Sequence, residues 1–573
     1  MRDPAPKTIY LNDYTPYPYD VTSVHLSFDL HPTKTRVRSR ILFAPKPEAQ
    51  SEIFLHGENL TLISARIDGK PVEPKVTPEG LTCPTPTTPF VWEAEVEIDP
   101  AGNTALEGLY LSSGMYCTQC EAEGFRKITY YPDRPDVMST FTVTINGPHP
   151  VLLSNGNPVS ASDGHAEWHD PWPKPAYLFA LVAGDLVAHP GKFVTKSGRS
   201  VDLNLYVRPG DEGKCAFGMQ ALKDSMAWDE RVYGREYDLD LFNIVAVDDF
   251  NMGAMENKGL NIFNSSAVLA SPETSTDMNF ERIEAIIAHE YFHNWTGNRI
   301  TCRDWFQLCL KEGLTVYRDS QFTSDMRSAA VKRIGDVIDL RGRQFAEDQG
   351  PLAHPVRPES FQEINNFYTA TIYEKGAEVI GMLRTLVGAD AYSKALDLYF
   401  DRHDGQACTI EDWIKVFEDS TGRDLSQFKL WYSQAGTPRL TVKEDWSEGT
   451  YTLTFTQSLT PSATTPDPKP MVIPVAVGLL NPNGDETHPT QILEMTESTQ
   501  SFKFEGLASR PIPSILRNFS APVVLEHPAD HAFLLAHDTD PFNRWEAGRT
   551  LARQSLLDLI RNGSSPNPAY LDG

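Results

Sequence analysis

The sequence predicts a multidomain α+β protein with an N-terminal β domain, a mixed domain with a helical core, a small β domain and a terminal helix. Three observations carry this. A chain of 573 residues exceeds what one hydrophobic core organises, and about 150 residues per domain gives three to four. Apolar residues alternate with a period of two over roughly the first 185 positions, recur at helical spacing from about 187 to 437, and alternate again after Gly436-Thr437-Pro438. The composition, 40% hydrophobic and 22% charged, excludes a disordered, collagenous or low-complexity chain.

Residues 1–186 read as β. Val24, Leu26, Phe28 and Leu30 alternate with polar neighbours, as do Trp92, Ala94, Val96 and Ile98, the pattern of half-buried strands. Asp68-Gly69 is a hairpin-type dipeptide between two such runs, and the segment closes on the apolar run Tyr177 to Val182. An antiparallel sheet or sandwich is expected. Over 187–437, helical spacing links Ile283, Ile286, Ile287 and Phe292, then Leu308 to Tyr317, then Tyr373 to Leu386. Over 438–538, Tyr451, Leu453 and Phe455 alternate and Val472 to Leu480 is a second apolar run. The Pro/Thr-rich Thr460 to Pro470 stretch between them reads as an exposed loop. In 539–573, Trp545 to Ile560 forms one amphipathic helix stopped by Asn562-Gly563, Pro566 and Pro568. It either docks on the β domain or opens a helical one.

Charge narrows the function. Lys and Arg number 51 against 77 Asp and Glu, a net charge of −26; so acidic a surface argues against nucleic-acid and anionic-membrane partners. The start, Met1 to Asp20, has no apolar core of signal-peptide length, and no uncharged run approaches the roughly 18 residues that span a bilayer. The seven Cys, at 83, 117, 120, 215, 302, 309 and 408, are sparse and odd in number, as expected of free thiols in a reducing cytoplasm. Cys117-Thr118-Gln119-Cys120 is half a zinc site at most and is read as structural.

The sharpest signal is His289-Glu290-Tyr291-Phe292-His293. On a helix, positions i and i+4 lie one above the other, so both imidazoles face one point. A catalytic zinc takes three protein ligands and leaves a fourth position for water. Glu290 follows His289 directly, which places a carboxylate beside the metal as general base. The third ligand is sought downstream: Glu312, in Lys311-Glu312-Gly313, comes 19 positions after His293. Asp319, two turns on, shares its helix face and is expected to orient a ligand imidazole. A chance HExxH in such a chain arises roughly 2% of the time, and rarer still with a Glu at the right later spacing.

Gly253-Ala254-Met255-Glu256-Asn257 ends 32 residues before His289. With the HExxH and the later Glu, it resembles the signature of the zinc aminopeptidases of the aminopeptidase N type. The strings from His289 through Asn298 to Arg318, and Gln119 to Arg126, are similar to the bacterial alanyl aminopeptidase branch. The resemblance runs from about residue 10 to 560. It implies a thermolysin-like catalytic domain over 187–437, a small β-sandwich over 438–538, and at 539–573 the first helix of a helical domain whose remainder the chain lacks.

The resemblance also implies roles. One Zn²⁺ per chain is held by His289, His293 and Glu312, with Glu290 as base and the Tyr373 hydroxyl supporting the oxyanion. Glu121 and Glu256 receive the substrate's α-amino group. Gln119 and Met252 lie beside the first side-chain pocket, and Gly253, Ala254, Met255 and Asn257 complete the substrate-binding segment, whose small residues let a peptide backbone lie close. The expected function is release of single N-terminal residues (alanyl, arginyl or apolar) from peptides with a free N-terminus, by a monomer. Three alternatives stand beside it. One is an uncapped form that binds peptides without turnover, another an endopeptidase of thermolysin type, for which the two acidic residues would be pointless. The third is an epoxide-hydrolysing relative, for which nothing demands a lipid tunnel.

Overall fold

The structure, a computed structural model, describes residues 7–563 and 568–572. The first six residues and Pro566 of the expected helix stop lie outside them. The chain forms two compact units, Ile9–Gln307 with Phe400–Thr409, and Leu308–Tyr399 with Ile410–Gly573 and the N-terminal residues to Thr8.

The first unit opens with an eight-stranded sheet. Its centre is Tyr19–Asp29, paired antiparallel to Thr35–Pro45 and parallel to Ser139–Asn146. Val24, Leu26 and Phe28 are buried, as are Trp92, Ala94, Val96 and Ile98, while Leu30 falls beyond the strand end and is half-buried. Asp68 and Gly69 both take positive φ, 50° and 74°, the backbone a two-residue hairpin turn requires. A four-stranded sheet contains Met115–Gln119 and Leu181–Gly184, paired antiparallel. A five-stranded mixed sheet follows, ordered Val187–Val194, Ser200–Val207, Leu241–Val247, Leu260–Asn264 and, at its edge, Ala254–Met255. The middle three strands run parallel; helix Ala216–Val232 makes the crossover between Ser200–Val207 and Leu241–Val247. Helix Asp277–Phe292 is started by a capping box in which Thr276 and Asn279 satisfy each other's backbone N–H.

The second unit begins with helix Leu308–Met326, followed by Ala329–Asp339 and, after a π-helical turn at Thr371–Lys375, helix Gly376–Val387. Two antiparallel-dominated sheets come next, one of Thr499–Phe504, Thr450–Ser458, Arg439–Ser447 and Val524–Glu526, the other of Glu486–Met495, Ile473–Leu480 and Ile512–Ile515. Tyr451, Leu453 and Phe455 are fully buried. The loop between Ser458 and Ile473 is mostly exposed, with Thr465 tucked in and its Oγ1 accepting from the Ala435 N–H at 2.9 Å.

The tail differs from the expected single helix. Asp540 caps a helix that starts at Pro541 and runs to Asn562, with Gly563 closing it in the left-handed conformation at φ 61°. A short helix, His531–His537, precedes it. Leu480 of the sheet, Leu534 and Ala547 form one buried cluster, so the tail docks on the β domain.

All seven cysteines are buried and unpaired with one another. Burial pushes the Cys117 thiol up to about 12 and Cys120 well above its ordinary value. Neither offers a thiolate at neutral pH, in keeping with a structural CxxC.

Candidate metal and amine site

In the first unit the helix Asp277–Phe292 ends at the site. His289 lies in its last turn and His293 caps it, donating its backbone N–H to the His289 carbonyl. Their Nε2 atoms stand 3.0 Å apart. A carbonyl only accepts, so His293 Nδ1, 2.9 Å from the Thr296 carbonyl, carries the hydrogen and Nε2 presents its lone pair. That fits a metal ligand whose second nitrogen is anchored by the backbone. The nitrogen separation is near the ~3.3 Å expected of two imidazoles about 2.0–2.1 Å from one tetrahedral ion. Gly297 makes room for this ring: a Cβ there would lie 2.8 Å from His293 Nδ1. Glu290, between the two imidazoles in sequence, is buried.

Two carboxylates converge beside the imidazoles. Glu256 sits past the edge strand Ala254–Met255, and Glu121 past the end of Met115–Gln119. Both are buried, and their carboxylate oxygens lie within 4.8 Å of each other. Glu256 Oε1 is 4.0 Å from His293 Nδ1. Gln119 Nε2 donates to the Glu121 carbonyl at 3.1 Å, and the Glu121–Ala122 peptide is cis. Two negative charges held this close inside a protein favour a cation between them. Gly253 is exposed, Met252 and Ala254 are half-buried, and Met255 and Asn257 are buried. The outer side of that short edge strand is therefore open to an added strand.

Glu312, Asp319 and Tyr373 belong to the second unit. Glu312 is buried on helix Leu308–Met326, where the Lys311 ammonium donates to its Oε1. Asp319 is half-buried on the same helix. Tyr373, half-buried, rides the π-helical turn Thr371–Lys375. The two segments touch backbone to backbone, for a Cβ on Gly313 would lie 2.8 Å from the Gly376 carbonyl carbon. Lys375 fixes the turn, donating to Asp348 at 2.9 Å and to the Gly436 carbonyl at 2.8 Å.

Residues 217–432 match the peptidase family M1 domain and 15–178 the peptidase M1 N-terminal domain. Residues 436–528 match a domain of unknown function (DUF3458) with an Ig-like fold, and 528–572 a domain of unknown function (DUF3458_C) of ARM repeats. Aminopeptidase N of Escherichia coli (strain K12) is 48% identical over 579 residues, covering 97% of this chain and 67% of its own length. The chain belongs to the peptidase M1 family. Within the family, Aminopeptidase N of Caulobacter vibrioides is 55% identical over 97% of this chain and 66% of its own length. Among solved M1 structures, that of Legionella pneumophila aminopeptidase A in complex with aspartic acid superposes with a TM-score of 0.90 at 33% identity, over 99% of this chain and 67% of that one. The chain thus spans about two thirds of the length of these relatives. M1 peptidases are metal-dependent, and the imidazole and carboxylate donors found here are of the types a metal ion takes.

Sequence reasoning missed the supports of this M1 site. Asn298 Nδ2 donates to the Glu256 carbonyl at 2.9 Å. The Lys258 ammonium, fully buried, reaches both oxygens of Asp238 at 2.7 and 2.6 Å and Asn294 Oδ1 at 2.8 Å. Burial pushes Asp238 upward, yet Lys258 and Arg299 outweigh it and hold the carboxyl below its usual range. Asn294 and Asn298 follow His293 closely, and Lys258 follows Asn257. Their proximity to the motifs was the available signal; a polar residue after a helix end reads equally well as an ordinary cap or turn.

Proposed function

We propose that this chain is a zinc aminopeptidase that releases the N-terminal residue of peptides whose α-amino group is free, with alanyl, arginyl and apolar residues as its class of substrate. One zinc ion is held by His289, His293 and Glu312, donors of the types zinc takes. The observation that carries the reading is the buried Glu121 and Glu256 pair, with Glu256 4.0 Å from His293. An α-ammonium seated on that pair puts the first peptide bond, and no later one, beside the imidazoles.

When bound, the ion supplies a Lewis acid and a water whose pKa falls to about 7. The chain's own residues do the rest. Glu121 and Glu256 bind and orient the ammonium; an acylated N-terminus would leave them facing an amide. Ala254 and Gly253 offer an open strand edge to the substrate backbone, and Met252 and Gln119 border the first side chain. Glu290 takes a proton from the attacking water and delivers it to the leaving amine. The Tyr373 hydroxyl donates where negative charge develops on the carbonyl oxygen. Asp319 orients a ligand imidazole. The protein works as a monomer, and its buried free thiols support a place in the cytoplasm; among the described residues, no helix is long and apolar enough to cross a membrane.

The test is mass spectrometry of a hexapeptide digest. A ladder of products shortened by one residue at a time from the N-terminus is expected, with the N-acetylated hexapeptide intact. Internal fragments, from either peptide, would replace this reading with an endopeptidase.

A further inference from the structure

Lys258 has no place in the chemistry above, yet its ammonium is buried beside the machinery. Its partners explain why. Asn294 immediately follows His293, and its Oδ1 accepts from Lys258 Nζ at 2.8 Å. Asn294 Nδ2 in turn donates to Asp238 at 3.1 Å, and Lys258 bonds both oxygens of that carboxylate. Arg299 closes the group, donating to Asp238 at 2.9 Å while its guanidinium lies over the Trp172 ring, 3.9 Å from the centroid. The Lys258 main chain is held as well: Asn155 Nδ2 donates to its carbonyl at 2.9 Å. Two residues earlier, the Glu256 carbonyl is held by Asn298. The segment from Glu256 to Lys258 is therefore strutted at both ends to the stretch that directly follows the imidazole pair.

Resting on the aminopeptidase reading, we propose that Lys258 is a positioning residue for substrate-amine recognition: through Asn294 and Asp238 it fixes the Glu256 carboxylate against the imidazoles. A buried ammonium suits this task. It must keep its anionic and carbonyl partners or stand unpaired in a medium of low dielectric, so the strut cannot slacken without cost. Burial does pull the Lys258 ammonium below its ordinary pKa, with Asp238 acting against the fall.

The experiment compares two metal-directed inhibitors on the zinc-loaded chain, alanine hydroxamate and propionohydroxamate, which differ by the α-amine alone. Their ratio of inhibition constants measures amine recognition apart from the metal. In Lys258→Met the ratio is expected to fall about tenfold, the size of one charge-assisted hydrogen bond, with propionohydroxamate inhibition unchanged. General loosening of the site would weaken both inhibitors together and overturn the proposal, as would an unchanged ratio. Should the methionine variant not fold, Asn294→Ala, which leaves the Lys258–Asp238 pair in place, is read the same way. An unmodified chain that does not prefer the amine-bearing inhibitor overturns the aminopeptidase reading and this proposal with it; a preference undiminished in the variants overturns the positioning role alone.

Discussion

At the scale of single residues, the groups proposed to hold substrate are distinct from those proposed to move protons. Glu290 is buried between two imidazoles in sequence and is assigned no metal, so Glu290→Gln should lower kcat by at least about 100-fold while zinc content, measured by atomic absorption, stays at one per chain. Loss of the ion in that variant would make Glu290 a ligand. In the proposed reaction Tyr373 acts only where charge develops in the transition state. Tyr373→Phe should therefore cut kcat by about 100- to 1,000-fold with KM for alanine p-nitroanilide nearly unchanged. The convergence of the two imidazoles was legible in the sequence because helical geometry alone brings positions 289 and 293 to one face, and their Nε2 atoms stand 3.0 Å apart. Glu121 and Glu256 were legible only through resemblance, since a lone Glu in a strand or loop carries no local signal. The struts Lys258, Asn294 and Asn298 gave no signal beyond their nearness to the motifs, because their roles depend on bonds to Asp238 and to the Glu256 carbonyl that span 20 to 56 residues of sequence.

At the scale of elements, two glycines set a helix crossing. Gly313 follows Glu312 and Gly376 follows the turn that carries Tyr373, and a Cβ at either would press on the other's backbone, within 2.8 Å and 3.2 Å. Gly313→Ala should push the segments apart, cost about 1–3 kcal/mol of stability and lower kcat with it; calorimetry beside a kinetic assay reads both. An unchanged melting temperature and rate would show that the crossing tolerates a methyl group. In the small β domain, His527 and Arg510 bond Glu444 and hold it down at about 2. A carboxylate depressed below its unfolded value of about 4.3 stabilises fully above that pH, and the contribution fades as pH falls toward 2. Glu444→Gln should destabilise by about 1 kcal/mol at pH 7, after allowance for solvent screening, and the gap should close between pH 4.5 and 2. Denaturant titrations across that range check it. Strand elements were the most legible part of the fold, because one face of each is buried and the other wet. The tail was read less well, since His531–His537 is too short to show a period and the docking surface on Leu480 lies some 60 residues earlier.

For the whole molecule, the groups of the proposed reaction lie on separate elements: an edge strand and a strand end carrying Glu256 and Glu121, a helix end carrying two imidazoles, helix Leu308–Met326 carrying Glu312, and the π-helical turn Thr371–Lys375 carrying Tyr373. The acidic surface, with a net charge of −26, does not oppose the proposed function, because the cationic N-terminus of a peptide is drawn to such a field. The most direct measurement is hydrolysis of alanine p-nitroanilide beside its N-acetylated twin, each with and without a zinc chelator. The account predicts cleavage of the free-amine substrate alone, abolished by the chelator and restored by zinc. Equal cleavage of both substrates, or cleavage indifferent to the chelator, would contradict it.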